Sequence, residues 1–128
     1  MTGPTPIQKE DPMKYLYLLY ADESKMPSPG SPEMGEEQAA YGAFYEKVTT
    51  AGVMQAGDPV HPSAASKTVS SRGGEVESKP GPFSPGGEQI VGFYVLDVSS
   101  EQEAVEYAAM IPAARHGAVE VRPILQLG

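Results

Sequence analysis

Two histidines and no cysteines narrow the chemistry open to this chain of 128 residues. His116 lies just before the last predicted strand, where Glu120 and Arg122 share one face. An imidazole titrates near pH ~6.5, so it can take and return protons at neutral pH. Next to a carboxylate and an arginine it could abstract a proton and stabilise an enolate. The same residues also fit a structural alternative, in which His116 bonds a turn and the other two form a surface pair.

Further site candidates are spread along the chain. Asp22 ends the first predicted strand and is expected to orient His116 or to act as a second base. Arg115 or Arg122 is expected to stabilise an anion. His61, in a polar loop, also fits an exposed or structural role. The residues predicted to bind a ligand are Arg115, Arg122, Glu120, Phe83, Tyr94 and His61.

Several kinds of chemistry lack the residues they need. Without cysteine there is no disulfide, thiolate nucleophile or cysteine-based metal site, and no metal-binding spacing of histidines and carboxylates occurs. Gly81 and Gly86 have P-loop spacing, but Gly87 and Glu88 stand where lysine and serine or threonine are required. No GxSxG elbow occurs. We therefore expect neither a metal nor a cofactor.

Charge and hydropathy exclude further classes of protein. Nine basic and 17 acidic side chains give a formal net charge of -8, so we expect no nucleic-acid partner. The longest apolar runs, residues 15–21 and 90–96, are far shorter than the roughly 18 residues of a membrane span. Residues 1–12 carry three prolines and no export pattern, and are expected to form a disordered tail. The expectation is a cytoplasmic protein with one domain over residues 13–128, away from membranes.

Two segments predict central strands because both of their faces are apolar. They are residues 14–20 (KYLYLLY) and 90–98 (IVGFYVLDV). Gly92 in the second indicates a bulge or a close backbone approach. The other predicted strands are 53–56, 67–71, 75–79 and 119–125, of which 67–71 and 75–79 form a hairpin. Pro123 favours a sheet edge or a bulge for the last strand.

Capping residues and apolar spacing predict two helices. Ser31 caps the first helix, which ends at Gly52. Ser100 and Glu103 have the form of a capping box for the second, which ends at Pro112. The expected buried faces are Met34, Tyr41, Phe44, Tyr45 and Val48 in the first helix, and Ala104, Val105, Ala108 and Ile111 in the second.

The predicted order of elements is β-α-β, a hairpin and β-α-β, which is a ferredoxin-like split βαβ unit of the α+β class with an inserted hairpin. Its helices cover one face of the sheet, yet two strands are apolar on both faces. We therefore expect a homodimer, in which a second copy covers the other face and closes an α/β barrel. A solvated sheet face with scattered aromatic residues is the alternative. Tyr15, Tyr17 and Tyr20 fit the core or a dimer surface better than a ligand pocket.

Three stretches resemble the DGPF subgroup of the YCII-related proteins. They are MKYLYLLYADES (13–24), the Gly81-Pro82-Phe83 loop with EQIVGFY (88–94), and PAARHGAVEVRP (112–123). The resemblance covers about residues 13–125. It implies ferredoxin-like subunits that pair into dimeric α/β barrels, with the His/Asp pair in a cleft that is proposed as an acid–base site in the wider group. One relative there removes halide from a chlorinated hydroquinone, and some DGPF proteins are encoded beside sigma factors, which implies a regulatory or accessory role by association.

The chain departs from the subgroup's motif in one loop. Where the family has Asp-Gly-Pro-Phe, this chain has Pro80-Gly81-Pro82-Phe83, and the family's usual Glu and Lys fall on Pro85 and Gly87. The carboxylate of that motif is therefore missing, and its role is either lost or moved to Asp22, Asp58 or Glu88. Asp22 also matches the carboxylate that follows the family's first strand.

The sequence thus predicts a cofactor-independent acid–base enzyme of the lyase, isomerase or cyclase type, acting on a small molecule such as an aromatic compound. The alternative is a non-catalytic ligand-binding or regulatory protein, which the missing loop carboxylate favours. Replacement of His116 by glutamine separates the two, since an enzyme would lose turnover and keep its fold.

Overall fold

A computed structural model describes residues 13–126, and the predicted tail of residues 1–12 lies outside them. Within these residues the strands are β1 (Met13–Asp22), β2 (Met54–Pro59), β3 (Lys67–Ser70), β4 (Glu77–Pro80), β5 (Glu88–Val98) and β6 (Ala118–Pro123). The helices are α1 (Pro32–Thr50), α2 (Glu101–Met110) and α3 (Ala113–His116). Short 3₁₀ turns lie at Glu23–Lys25, Ser63–Ala65 and Arg72–Gly74.

The main sheet has the strand order β2-β5-β1-β6, and all its neighbouring strands are antiparallel. β1 and β5 occupy the centre, as their apolar sequences predicted, and β6 lies at an edge, as Pro123 predicted. β3 and β4 pair with each other as the inserted hairpin. The structure is therefore α+β, and its strand order is consistent with the ferredoxin-like unit expected from the sequence.

The core lies between the helices and one face of the sheet. Alternate residues of β1 between 15 and 21 point into it and are almost completely buried. Phe44 of α1 packs edge-on against Tyr94 of β5, with ring centroids 5.1 Å apart. The hydroxyl of Tyr17 donates a hydrogen bond of 2.9 Å to the carbonyl of Ala104 in α2, so the most buried phenol of β1 has a polar partner.

Helix α1 begins as its capping residue predicted. Ser31 accepts a hydrogen bond of 3.1 Å from the backbone N–H of Met34, which satisfies one of the free donors of the first turn. Phe44 and Val48 are buried on the predicted face. Tyr45, also expected there, is 54% exposed, because it follows Phe44 directly in the chain and therefore lies at the edge of the buried face.

Helix α2 forms one half of the predicted capping box. The N–H of Glu103 donates to the hydroxyl of Ser100 at 3.1 Å, but the carboxylate of Glu103 accepts from Ser99 instead of closing the box on Ser100. The prediction that Val105 is buried is wrong, since it is 52% exposed. Tyr107 takes the buried position beside Phe44 instead.

Strand boundaries differ from the prediction by a few residues. β2 continues to Pro59 and β6 ends at Pro123, so β2 is longer and β6 shorter than expected. Gly92 meets both parts of its prediction. The register of β1 and β5 shifts beside it, and a Cβ there would lie 3.2 Å from the carbonyl oxygen of Asp58 on β2.

The second face of the sheet carries a mixed surface. All three helices contribute buried residues to the core on the first face. On the second face, Leu16 and Leu18 of β1 are half-buried, and in β6 Arg122 and Glu120 stand opposite them. Val95 of β5 pairs with Leu16 on its other side. An apolar strip with a charged edge therefore runs across the sheet.

Candidate functional site

A cleft of about 720 Å³ opens between the first half of α1 and one end of the sheet. Its walls are largely apolar and aromatic, and its polar groups are mostly acidic. The aromatic lining residues are Tyr41, Tyr45, Phe93 and Tyr94. The charged or titratable residues are Asp22, Lys25, Glu33, Glu37, Asp58 and His116. A concave, mostly apolar pocket with a few converging polar groups is the usual form of a small-molecule site.

His116 and Glu37 form the most specific pair in the cleft. Nε2 of His116 lies 3.3 Å from Oε1 of Glu37, and the pair carries opposite charges when the imidazole is protonated. The Glu37 side chain is only 17% exposed, whereas that of His116 is 60% exposed. The carboxylate is thus held in the wall, and the imidazole is open to a ligand. A histidine oriented by a carboxylate is a common arrangement for proton transfer.

The backbone around His116 fixes its place beside β1. Pro112 ends the run of α2, and α3 (Ala113–His116) follows as a single turn. Gly117 comes next, where a Cβ would lie 2.1 Å from the carbonyl oxygen of Tyr20. No other residue allows α3 to lie this close to β1. The motif PAARHGAVEVRP therefore has a structural reason, since it ends one helix, places the histidine and starts β6.

Tyr41 of α1 lies one turn after Glu37 and also faces the cleft. Burial, and to a smaller extent the Glu37 carboxylate, raises the pKa of Tyr41 to about 12, although the nearby backbone of Ala113 and the charge of Arg115 act in the opposite direction. The phenol therefore stays protonated at neutral pH and can donate a hydrogen bond. Burial also raises the pKa of Tyr94 on the opposite wall.

Asp22 reaches the cleft from the end of β1. The hydroxyl and the N–H of Ser24 both donate to its Oδ1, at 2.7 and 3.0 Å, and these bonds lower the pKa of the Asp22 carboxyl. Asp22 is therefore ionised at neutral pH. Its hydrogen bonds fix the 3₁₀ turn Glu23–Lys25, whereas His116 is paired with Glu37.

Glu23, the next residue, joins the two loops at the mouth of the cleft. Its carboxylate accepts from both the N–H and the hydroxyl of Ser63, at 2.7 and 2.6 Å. Lys25 and Met26 line the cleft from the first loop, and Asp58 and Pro59 line it just before the second. These hydrogen bonds therefore hold both sides of the opening together.

The structure brings three of the predicted site residues together and leaves five apart. His116, Asp22 and Tyr94 line the cleft. Arg115 is exposed on α3, and His61 is exposed in the loop after β2. Phe83 is 78% exposed beside the hairpin β3–β4, in a second hollow. Glu120 and Arg122 pair with each other on the second face of the sheet, where the hydroxyl of Tyr20 bonds Glu120 at 3.3 Å.

The sequence named three carboxylates as alternatives to the one in the expected motif loop, and two of them lie in the cleft. Of the three carboxylates named from the sequence, Asp22 and Asp58 line it. Glu88 is exposed and stands opposite Asp22 in the register of β1 and β5. None of the residues from 80 to 87 contributes to the cleft within the described part of the chain.

Sequence reasoning missed Glu37 and assigned Tyr41 to the core alone. The signal was present, because the apolar positions of α1 step from Met34 directly to Tyr41, which leaves one turn unfilled. Glu37 occupies that turn, on the side that faces the sheet. A carboxylate at a position where the pattern predicts an apolar residue indicates a polar partner across the packing surface.

In residues 13–126, no three histidine and carboxylate side chains converge in a way that could hold a metal ion. No helix of this same segment has the length and hydropathy to cross a membrane.

The fold and the cleft define a small α+β protein with a ligand-sized cleft beside an antiparallel sheet. Comparison with protein families matches residues 13–127 to the YCII-related domain, so the chain belongs to the YCII-related family. An uncharacterized protein of Rhizobium meliloti (strain 1021) is 32% identical to it over 114 residues. That alignment covers 88% of this chain and 92% of the relative.

Proposed function

We propose that the protein is a cofactor-independent acid–base enzyme, of the lyase, isomerase or cyclase type, acting on a small molecule in the cleft. The observation that carries the proposal is the contact of 3.3 Å between Nε2 of His116 and Oε1 of Glu37 at the wall of the cleft. An exposed imidazole on a shielded carboxylate can accept a proton and hold it until it is returned.

In this proposal His116 removes a proton from a carbon next to a carbonyl group of the substrate. The electron pair of the C–H bond moves onto the carbonyl oxygen, and the imidazolium pairs with Glu37. Tyr41, which stays protonated at neutral pH, donates a hydrogen bond to that oxygen. The proton then returns to another carbon, or a leaving group departs as the carbonyl reforms. Asp22, ionised in the same cleft, serves as a second base.

We also propose the DGPF subgroup and a homodimer for this chain. The loop sequence Pro80-Gly81-Pro82-Phe83 supports the subgroup, with its carboxylate replaced. The half-buried Leu16 and Leu18 support a dimer, since they leave an apolar strip on the sheet face opposite the helices. Arg122 would lie at the edge of that interface.

Deuterium exchange tests the proton transfer common to all three reaction types. A panel of small ketones, half of them with an aromatic ring, is incubated with the protein in D₂O, and exchange of the C–H next to the carbonyl is followed by ¹H NMR. We expect His116→Gln to slow the exchange about 100-fold or more. His61→Gln is the matched control, because His61 lies outside the cleft lining, and its rate should equal that of the wild type.

The alternative, a non-catalytic binding protein, makes a different prediction. The motif loop of residues 80–87 contributes no carboxylate to the cleft, which favours this alternative. In that case compounds would shift the NMR signals of Tyr41 and Tyr94, yet none would exchange faster with the wild type than with His116→Gln. That result would reject the enzyme.

A further inference from the structure

The side chains of the cleft also determine the charge of the molecule that it accepts. Four carboxylates line the cleft, from Asp22, Glu33, Glu37 and Asp58, against one lysine and one histidine. Among the described residues no arginine lines it, and the two arginines expected to stabilise an anion lie outside it. An anionic ligand would therefore meet repulsion on entry.

Two of these carboxylates are already engaged by the protein. Glu37 contacts His116, and Asp22 accepts from Ser24. Glu33 and Asp58 lie on opposite sides of the cleft, one in the first turn of α1 and the other in β2. Within residues 13–126, the carboxylates of Glu33 and Asp58 form neither an ion pair nor a hydrogen bond with the protein.

The walls between these carboxylates favour an organic body on the ligand. Tyr41, Tyr45 and Tyr94 present aromatic rings, and Met26 and Met34 add flexible apolar surface. Aromatic faces attract a cation within about 6 Å of the ring centre, more strongly where water is excluded. A volume of about 720 Å³ suits an organic molecule and exceeds what an inorganic ion requires.

We infer that the cleft takes an organic cation, namely a protonated amine on an aromatic or apolar body, in preference to a carboxylate or a phosphate. The inference rests on the proposed function for the identity of the site and adds the class of its ligand. The ammonium group is held by Asp58 or Glu33, and the apolar body packs between the tyrosines.

Three probes that share a phenylethyl body and differ in the charge of their polar group test the inference on the full chain. They are 2-phenylethylamine, 2-phenylethanol and 3-phenylpropionate at pH 7, with binding followed through the ¹H–¹³C signals of the Tyr41 and Tyr94 rings. We expect the amine to bind about tenfold or more tighter than the carboxylate, with the alcohol between them. Added salt should reduce the difference, since Glu33 is exposed.

Charge-removing variants identify the carboxylates responsible. Asp58→Asn and Glu33→Gln should each weaken amine binding about threefold to tenfold and leave alcohol binding unchanged. Glu46→Gln is the matched control, because it removes an exposed charge from α1 outside the cleft. If Asp58→Asn impairs folding, Glu33→Gln alone tests whether the carboxylates hold the amine. The Glu33 side chain is exposed on the first turn of α1, so its replacement should not disturb the fold.

Equal or tighter binding of 3-phenylpropionate would overturn the inference. So would the absence of ring shifts with all three probes, or an unchanged preference for the amine in both variants. The experiments also distinguish a failure of this inference from a failure of the proposed acid–base function. If the wild type exchanges no C–H faster than His116→Gln but still prefers the amine, the cleft is a cation-binding site without catalysis.

Discussion

Oε1 of Glu37 and Nε2 of His116 lie 3.3 Å apart, which joins the second turn of α1 to the single turn of α3. The contact pairs a shielded carboxylate with an exposed imidazole at the wall of the cleft. Because the two residues are far apart in the chain, only the folded protein can form it. The imidazole ring of His116 therefore reports on the integrity of the cleft.

Glu37→Gln should change the environment of His116 and leave that of His61 unchanged. The amide keeps the size of the side chain but removes the charge that faces the imidazole. The measurement is the ¹H–¹³C spectrum of the two histidine rings at several pH values. Glu36→Gln is the control, since Glu36 is exposed on the same helix. Identical His116 signals in wild type and Glu37→Gln would show that the contact is absent in solution.

Gly117→Ala should destabilise the protein by about 2 kcal/mol or more, because the new Cβ would lie 2.1 Å from the carbonyl oxygen of Tyr20. The turn of α3 must then move away from β1. Gly42→Ala should have the opposite effect, since Gly42 is exposed within α1 and has open space at its Cβ position. A gain of about 0.5–1 kcal/mol is expected there. Urea unfolding of both variants measures the difference, and a neutral Gly117→Ala would contradict the close approach.

Tyr17→Phe should cost about 1 kcal/mol of the free energy of unfolding. The hydroxyl of Tyr17 is fully buried and donates to the carbonyl of Ala104 at 2.9 Å, so its loss removes the hydrogen bond between β1 and α2. Tyr45→Phe is the control, because Tyr45 is 54% exposed and a change within about 0.5 kcal/mol is expected. Equal stability of the two variants would mean that the buried hydrogen bond contributes nothing.

Local sequence signals predicted the elements of the fold. Ser31 and Ser100 cap the two main helices, and Pro123 lies on an edge strand. Each of these features acts within a few residues, so it can be read from a single chain. Val105 shows the limit. Its spacing placed it on the apolar face of α2, but the geometry of packing against Phe44 selected Tyr107.

The site was harder to predict than the fold, because its contacts join distant segments. His116 and Asp22 were named from their types and positions, and both line the cleft. Sequence proximity grouped His116 with Glu120 and Arg122, yet that pair lies on the second face of the sheet. The gap in the apolar pattern of α1 pointed to Glu37, but the partner of this carboxylate could not be named, because the chain alone does not show that α1 crosses the turn of α3.

Glu23→Gln should loosen the mouth of the cleft, most of all near neutral pH. The N–H and hydroxyl of Ser63 donate to this carboxylate and lower the pKa of Glu23. Because the pKa of Glu23 is lower in the folded protein than the 4.5 of the unfolded chain, the ionised carboxylate stabilises the folded state at pH values above 4.5. This stabilisation is lost as the pH falls through the pKa that Glu23 has in the folded protein.

The measurement is the hydrogen-exchange rate of the Ser63 amide at pH 7 and pH 3. We expect the Glu23→Gln variant to exchange faster than the wild type at pH 7 and to approach it at pH 3. Glu46→Gln, on the exposed side of α1, is the control. Equal protection of the Ser63 amide at pH 7 in the wild type and in Glu23→Gln would show that the Glu23–Ser63 contact does not hold the two loops together.

Alkaline pH should destabilise the protein through its buried tyrosines. Burial raises the pKa of Tyr41 to about 12 and that of Tyr17 still further, against 10.0 for a free phenol. Between pH 10 and these higher pKa values, the unfolded chain releases phenol protons that the folded protein retains. The contribution of the two neutral phenols to the free energy of unfolding is therefore complete below about pH 10, and it decreases as the pH rises toward the pKa values of the folded state. Urea midpoints at pH 9, 10 and 11 should decline more steeply for the wild type than for Tyr41→Phe.

Tyr45→Phe is the control, because Tyr45 is an exposed phenol on the same helix, and this variant should retain the steep decline of the wild type. If Tyr41→Phe declined equally steeply, Tyr41 would be exposed to water in solution, and its role as a neutral hydrogen-bond donor in the cleft would be lost.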